Sequence, residues 1–303
     1  MKSPKDAVAV RRELAARAQS TGEDMQQLLE RYVVERFLYR LSRSDHASSM
    51  ILKGAVLFSA WLAIRHRHTR DVDFTSLSQI DVDQASQMLR EICSIPVEND
   101  GVSFHLDRIL ATDIRAQAKY AGVRLMMPTT IGRARVKLQI DIGFGDVTTP
   151  APQIVELPTV IDSPAPKVLA ISPATVVAEK LETIVKLGSF NSRMKDYFDL
   201  RELARALDHD MSDLVRAVRA TFNRRGTDIP LEEPEGLSSQ FATDHEKQIQ
   251  WSAFLRRIGR PSEPFSECVS EVAAFTVPIL NASLSSETST VVWRAGNGWS
   301  EPT

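Results

Sequence analysis

The stretch Asp71-Val72-Asp73-Phe74 alternates two carboxylates with two apolar side chains. In an extended strand successive side chains leave on opposite faces, so both carboxylates share one face while Val72 and Phe74 share the other. Like charges at this spacing repel each other, and a divalent cation such as Mg2+, which binds oxygen ligands, would relieve that repulsion. The stretch therefore predicts a strand that carries a candidate metal site, although such a pair also occurs by chance on exposed strands.

A second alternating stretch, residues 134–142, carries another acid near its end. Lys137, Gln139 and Asp141 share one face, and the other face is wholly apolar. If this strand lies beside the first, Asp141 points into the same site, and three carboxylates can hold two metal ions for transfer of a phosphoryl or nucleotidyl group. Taken alone, Asp141 is equally compatible with a solvent-facing acid on a half-exposed sheet.

Lys53 and Gly54 precede an apolar stretch that runs to Ile64 and is predicted to be helical. A helix amino terminus with a neighbouring ammonium attracts anions, which makes both residues candidates for binding phosphate. A glycine turn before an apolar helix is also common without any ligand.

Two helices in the second half each carry a charge at a position where a core residue is expected. Lys180 interrupts an apolar stripe in the helix that starts at Ser172-Pro173, and Asp196 heads the stripe of the next helix. Neither charge is buried cheaply without a partner. The two side chains could pair with each other, Lys180 could reach water, or both could serve a site.

With 303 residues, the chain has the length of about two domains. Residues 1–148 are predicted to form N-terminal helices and an α+β domain, residues 149–172 a proline-rich connector, residues 173–282 a helical domain, and residues 283–303 a loosely ordered tail. The predicted strands include 102–110 and 121–128, and the predicted C-terminal helices are 173–188, 193–207, 211–223, 243–257 and 264–282.

The charge is unevenly distributed along the chain. Its 37 basic and 39 acidic residues leave a net charge of -2. This excludes a strongly cationic protein that coats nucleic acid without specificity. Residues 1–70 nevertheless hold 13 basic and 7 acidic residues, a local excess of +6. Contacts with RNA phosphates, or simply a solvated surface, are predicted for Arg31, Arg36, Arg40, Arg43, Arg216, Arg219, Arg224 and Arg225.

The two cysteines, Cys93 and Cys268, lie far apart, which argues against a zinc site and is typical of a reducing compartment. The amino terminus lacks the apolar core of a signal peptide, and no apolar stretch is long enough to span a membrane. We therefore expect a cytoplasmic protein.

Five motifs occur in a familiar order. They are Leu52-Lys53-Gly54, Thr69-Arg70-Asp71-Val72-Asp73-Phe74, Gln139-Ile140-Asp141, Ala178-Glu179-Lys180-Leu181 and Arg193-Met194-Lys195-Asp196-Tyr197-Phe198-Asp199-Leu200. Together they resemble the motifs of the AbiEii/AbiGii-type toxin nucleotidyltransferases over about residues 45–210. Each motif is weak by itself, but five in order make a specific signal.

The resemblance implies an α+β fold: a DNA polymerase β-like nucleotidyltransferase domain with a mixed sheet, followed by a helical domain. It makes Asp71 and Asp73 the pair that holds Mg2+, with two ions expected and Asp141 as third ligand. It places Lys180 beside the triphosphate of an NTP substrate. It makes Asp196 an active-site acid that orients Lys180 or assists deprotonation of the attacking hydroxyl.

Further contacts with the NTP are expected from Lys53, Gly54 and Arg70, although Arg70 could equally be a surface arginine. The sequence departs from the family pattern after Gly54, where Ala55 and Val56 replace a second glycine and a hydroxyl residue. This change removes a side-chain contact to phosphate but keeps the backbone N–H groups.

The function implied by the resemblance is that of a toxin in a toxin–antitoxin or abortive-infection system. Such a toxin adds NMP from an NTP to an RNA 3′ end, with tRNA as the expected acceptor, and is neutralised by a separately encoded antitoxin. Two alternatives stay open: a kinase that phosphorylates a protein or nucleotide, and a degenerate binding module without catalysis.

Overall fold

The computed structural model describes residues 5–62, 67–115, 121–285 and 290–301. The chain divides into two compact units. The first comprises Met1–Ala60, Ile64–Asp146 and Gln153–Ala170, and the second comprises Trp61–Ala63, Val147–Pro152 and Ile171–Thr303.

The helices are α1 (Ala7–Thr21), α2 (Met25–Leu41), α3 (Phe58–Trp61), α4 (Val82–Ser94), α5 (Pro173–Leu187), α6 (Met194–Ala206), α7 (Met211–Arg225), α8 (Ser239–Thr243), α9 (His245–Arg257) and α10 (Phe265–Leu284). The strands are β1 (Met50–Lys53), β2 (Asp71–Ser76), β3 (Val102–Phe104), β4 (Leu110–Arg115), β5 (Ala121–Ile131), β6 (Ala134–Phe144), β7 (Gln153–Glu156), β8 (Lys167–Ala170), β9 (His209–Asp210), β10 (Val292–Arg294) and β11 (Gly298–Ser300). The strand predicted over 102–110 is formed only at β3; a 3-10 turn follows at Leu106–Arg108, and β4 begins at Leu110.

An eight-stranded mixed sheet forms the centre of the first unit within the described residues, in the order β3-β5-β6-β2-β1-β8-β7, with β4 also paired to β5. The strands β2 and β6 run parallel, as do β1 and β8. The remaining pairs are antiparallel. This order makes β6 a direct neighbour of β2. Asp141 on β6 can share a site with Asp71 and Asp73 on β2 only if the two strands are neighbours.

One face of this sheet is apolar and buried. Val72 and Phe74 of β2 are almost fully inaccessible, and the apolar positions of β6 are buried in the same way. The α2 helix contacts β6, and the ring of Phe37 meets that of Phe74 edge-on at a centroid distance of 6.3 Å. Burial of this face leaves the polar positions of β2 and β6 on the opposite face.

The proline-rich segment predicted as a connector instead completes the sheet. The β8 strand pairs with β1, and β7 pairs with β8 as the last strand of the sheet order. The prolines Pro152, Pro158, Pro164 and Pro166 lie outside the two strands. Because proline is tolerated beside strands and not within a central ladder, a proline-rich segment can still supply two short strands.

The apolar stretch after Gly54 does not form the single helix predicted there. It starts with a 3-10 turn at Ala55–Leu57 and continues in the four-residue helix α3. Nearly all side chains in this stretch are apolar, so no polar face marks a helical period. The helical segment after Gly54 is therefore short within the described residues and starts with a 3-10 turn.

The second unit is built on helices α5 to α10. An aromatic cluster joins α6, α8 and α10, since Tyr197 stacks on Phe241 and meets Phe265 edge-on at centroid distances of 5.9 and 5.1 Å. Trp251 of α9 is fully buried and lies 5.3 Å from the Phe265 ring. Across the described ranges, no helix is both long and apolar enough to cross a membrane.

The predicted loose tail is wrong, because the chain after residue 290 forms a hairpin. The β10 strand pairs with both β11 and β9. Trp293 is 8% exposed, and its ring nitrogen donates to the carbonyl of Ala204 at 2.6 Å. Burial of an aromatic ring with a satisfied N–H outweighs the polar composition of the tail.

Candidate active site

The acidic pair lies on β2 as the alternation predicts. Asp71 and Asp73 are both half-buried on the polar face, whereas Val72 and Phe74 are buried on the other. In the parallel ladder with β6, Asp71 is level with Gln139 and Asp73 is level with Asp141. Three carboxylates therefore stand on one face of two adjacent strands.

Asp141 is held by an arginine from the next strand. Arg124 of β5 is its antiparallel partner and donates from Nε and Nη2 to the two carboxylate oxygens at 2.8 and 2.7 Å. These hydrogen bonds raise the pKa of the Arg124 guanidinium, and the charges of Asp71 and Asp73 act in the same direction. The guanidinium therefore lies in the field of all three carboxylates.

The β1 strand brings Lys53 and Gly54 to the same place. Lys53 is the antiparallel partner of Asp73 and donates to Asp146 at 2.6 Å. Gly54 has φ +76° and ψ −166°. A Cβ atom there would lie 2.1 Å from Oδ2 of Asp73, so only glycine allows this close approach of backbone to carboxylate.

The donor set suits Mg2+, which commonly takes one or two carboxylates and completes its shell with water and substrate phosphate. Asp71 and Asp73 form such a pair. Among the residues that the structure describes, no three His, Cys, Asp or Glu side chains are grouped to hold a metal ion. Asp141 as a third metal ligand stays a prediction, and in the structure Arg124 engages both of its oxygens.

In the second unit Lys180 lies between two acids. Its ammonium donates to Oδ1 of Asp196 at 2.8 Å and to Oδ2 of Asp199 at 2.7 Å. Arg193 donates to the other oxygen of Asp196 at 2.6 Å. The Lys180 side chain keeps 15% of its surface exposed, whereas those of Asp196 and Asp199 keep 2% and none.

These contacts favour the charged forms of Lys180 and Asp196. Burial alone would lower the pKa of Lys180, but the carboxylates of Asp199 and Asp196 raise it. Burial alone would raise the pKa of Asp196, but Lys180 and Arg193 lower it. An acid with a lowered pKa is a poor proton acceptor, so the cluster favours the role of orienting Lys180 over that of a general base.

Arg70 is exposed at the start of β2, and its Nε lies 3.7 Å from the carboxylate of Glu30. The Glu30 carboxylate also contacts His68 at 2.8 Å. A role of Arg70 toward nucleotide stays a prediction.

The structure rejects two of the arginines predicted to contact RNA from α2. Arg36 and Arg40 are 1% and 7% exposed. Arg36 pairs with Glu35 at 2.7 Å, and Arg40 pairs with Asp100 at 2.6 Å. Because α2 is covered on this side, both guanidiniums are internal. The other two members of the group lie nearer the surface and are Arg31 and Arg43.

Two arginines of α7 are also engaged within the chain. Arg219 donates to the carbonyl of Ser283 at 3.0 Å and Arg225 to the carboxylate of Glu182 at 2.8 Å. Arg216, Arg219 and Arg224 are exposed on this helix, and Arg216 also pairs with Asp213.

Residues 36–271 match the family described as "Nucleotidyl transferase AbiEii toxin, Type IV TA system". The chain belongs to the AbiEii nucleotidyltransferase toxin family. The match covers both the strand that carries the acidic pair and the helices that carry Lys180 and Asp196. An antitoxin partner follows from membership of a toxin–antitoxin family. A comparison with curated proteins finds no matching relative.

Solved structures share the AbiEii fold at low sequence identity. MenT4, a nucleotidyltransferase toxin of Mycobacterium tuberculosis H37Rv, aligns with a TM-score of 0.53 at 14% identity over 90% of this chain and 98% of its own. JHP933 from Helicobacter pylori aligns with a TM-score of 0.50 at 14% identity over 86% of this chain and 94% of its own. The predicted α+β fold, a nucleotidyltransferase domain with a mixed sheet followed by helices, is confirmed.

The structure of this AbiEii toxin adds three charged residues that the sequence reasoning missed as site residues: Arg124, Asp146 and Asp199. A signal for Arg124 was present, since Gly132-Arg133 makes a two-residue turn between β5 and β6. Counting back from that turn places Arg124 opposite Asp141. Asp199 belongs to the quoted motif but was assigned no role.

Proposed function

We propose that this AbiEii toxin is a Mg2+-dependent enzyme that transfers NMP from an NTP to the 3′ hydroxyl of an RNA, with tRNA as the acceptor. The observation that carries the proposal is the placement of Asp71 and Asp73 on one face of β2, with Asp141 level with Asp73 on β6. NTPs and tRNA are cytoplasmic, which is where we propose that the toxin acts.

In the proposed reaction, the 3′ oxygen of the RNA forms a bond to the α-phosphorus, and the bond from that phosphorus to the pyrophosphate oxygen breaks. The hydroxyl proton is lost to water, and pyrophosphate leaves. Mg2+, when bound, neutralises phosphate charge and supports in-line displacement. Asp71 and Asp73 would hold it through carboxylate oxygens.

The proposal gives the remaining residues supporting roles. Gly54 allows its backbone to approach Asp73, which supports a fixed carboxylate position. Lys180 stays charged between Asp199 and Asp196, so its ammonium can neutralise the triphosphate, as the resemblance implies. Asp196 acts as a positioning residue for Lys180. Lys53 and Arg70 are proposed to contact phosphate.

The test incubates the purified chain with Mg2+, total tRNA and each α-labelled NTP in turn, and resolves the RNA on a gel. Asp71→Asn and Asp73→Asn are compared with Asp107→Asn, which removes a surface acid whose side chain is 78% exposed. We expect label on tRNA with the wild type and with Asp107→Asn, and none with the other two variants.

A parallel series with γ-labelled NTP separates the alternatives. Label that reaches an acceptor only from the γ position would establish a kinase, because nucleotidyl transfer releases that phosphate with pyrophosphate. No transfer from either position, together with growth arrest in cells that persists in Asp73→Asn, would indicate a binding module without catalysis.

A further inference from the structure

Four charged residues form a single row across the centre of the sheet. Lys53 of β1 is level with Asp73 of β2, Asp73 with Asp141 of β6, and Asp141 with Arg124 of β5. Directly paired residues on adjacent strands point to the same face. The row therefore reads cation, anion, anion, cation, with the two carboxylates in the middle.

The Arg124 end of the row is closed by a bidentate contact. Nε and Nη2 of Arg124 reach separate oxygens of Asp141 at 2.8 and 2.7 Å. Two parallel, charge-assisted hydrogen bonds of this kind are among the stronger polar contacts in proteins. A metal ion that coordinates Asp141 must replace at least one of them.

Arg124 is free to change partner in a way that a core arginine is not. Its side chain is 40% exposed, compared with 17% for that of Asp141. A guanidinium fork matches phosphate as well as it matches carboxylate. A triphosphate near this face would therefore compete with Asp141 for the same donors.

We infer that Arg124 controls access to the third carboxylate: it holds Asp141 until the phosphates of a nucleotide draw the guanidinium away, and Asp141 then becomes a metal ligand. This inference rests on the proposed function, because it takes an NTP as the ligand. It predicts that the contribution of Asp141 to metal binding depends on nucleotide.

The test measures Mn2+ affinity by electron paramagnetic resonance for the wild type, Arg124→Gln, Asp141→Asn and the double variant. Each protein is measured alone and with an α,β-methylene NTP, which cannot transfer NMP. Arg135→Gln is the matched control, since Arg135 is an exposed arginine on the same face of β6, about 20 Å from Asp141 at roughly 3.3 Å per residue.

Without nucleotide, we expect Arg124→Gln to tighten Mn2+ binding about tenfold. This is the change in affinity expected from the loss of one charge-assisted hydrogen bond that competes with the metal. Asp141→Asn should reverse that gain in the Arg124→Gln background and should change the affinity of the wild type by less than about threefold. With the analogue, Asp141→Asn should weaken Mn2+ binding about tenfold in the wild type as well. Arg135→Gln should change neither affinity.

Arg124→Lys separates the bidentate contact from charge alone. Lysine keeps the positive charge but cannot bridge both oxygens. Tighter Mn2+ binding by Arg124→Lys supports the inference, and equal binding by Arg124→Lys and the wild type overturns it.

An equal effect of Asp141→Asn with and without Arg124, and with and without the analogue, would also overturn the inference. Transfer of label to tRNA is assayed on the same proteins. If label is transferred but the effect of Asp141→Asn on Mn2+ affinity depends neither on Arg124 nor on the analogue, only the inference fails. If that dependence is found but no NTP supports transfer, the proposed function fails. The inference that nucleotide releases Asp141 from Arg124 then still stands.

Discussion

The backbone at Gly54 lies so close to Asp73 that a Cβ atom at position 54 would be 2.1 Å from the carboxylate Oδ2. The glycine also has φ +76° and ψ −166°, a region of backbone conformation that is essentially restricted to glycine. The position of one half of the acidic pair therefore depends on the absence of a side chain on the neighbouring strand.

Gly54→Ala should lower the rate of nucleotidyl transfer by at least about 100-fold. The new methyl group would displace the Asp73 carboxylate by about an ångström. Gly22→Ala is the matched control: Gly22 has φ +69°, but nothing lies within 4 Å of its Cβ position. It should lose about 1 kcal/mol of stability through backbone strain and keep its activity. Label transfer and urea denaturation measure the two effects, and equal activity in the two variants would contradict the role of Gly54.

Asp199→Asn should destabilise the second unit by about 3 kcal/mol, because it removes a buried carboxylate from the ammonium of Lys180. Arg193→Gln removes a charge from the same cluster, but the Arg193 side chain is 47% exposed. We expect it to cost less than about 1 kcal/mol. Urea midpoints followed by circular dichroism compare the variants, and a larger loss in Arg193→Gln would refute this ranking.

Local patterns in the sequence predict the acidic face of the sheet well. Alternation alone places Asp71 and Asp73 on one face and predicts the strand with Asp141, because the side-chain period of a strand is a property of its own residues. The pairing of β2 with β6, in contrast, is not a local property of the sequence. It joins segments about seventy residues apart, and no local pattern specifies which strands become neighbours.

The departures from prediction have identifiable physical causes. Arg40 is predicted to contact RNA or solvent, but it is buried against the loop that carries Asp100. The polar composition of the tail predicts disorder, but Gly296, with φ +71°, lies in a three-residue hairpin turn at 295–297, and Trp293 supplies apolar surface to bury. Tertiary cover and a single aromatic residue outweigh composition in these two cases.

The arginines of α2 should separate into structural and surface classes. Arg40→Gln should cost about 3 kcal/mol of stability, since it leaves the buried Asp100 carboxylate without its bidentate partner. Arg43→Gln should leave stability unchanged, because Arg43 is exposed. If Arg43 contacts RNA phosphate, the slope of log affinity against log salt should fall by about one. Filter binding of tRNA over a salt series measures that slope, and an unchanged slope would assign Arg43 to a merely solvated surface.

The buried His209 should make the folded state sensitive to mild acid. It pairs with β10, its ring lies 5.1 Å from that of Phe275, and its Nε2 is 3.3 Å from the carbonyl of Leu203. Burial lowers the pKa of His209 from 6.5 to about 4. Between these values the unfolded chain binds a proton that the folded chain does not, so stability should fall as the pH drops, by up to about 1.4 kcal/mol per pH unit.

Asp208, the acid next to His209 in the chain, does not titrate in the pH range of this test. Hydrogen bonds from the Ala295 backbone and from Arg294 lower the pKa of Asp208 from its ordinary value, so that carboxylate stays ionised as His209 titrates in the unfolded chain. Urea midpoints measured from pH 7 to pH 5 should therefore fall more steeply for the wild type than for His209→Gln. His245→Gln, which removes an exposed histidine, should retain the wild-type slope. A wild-type slope in His209→Gln would show that another group takes up the proton.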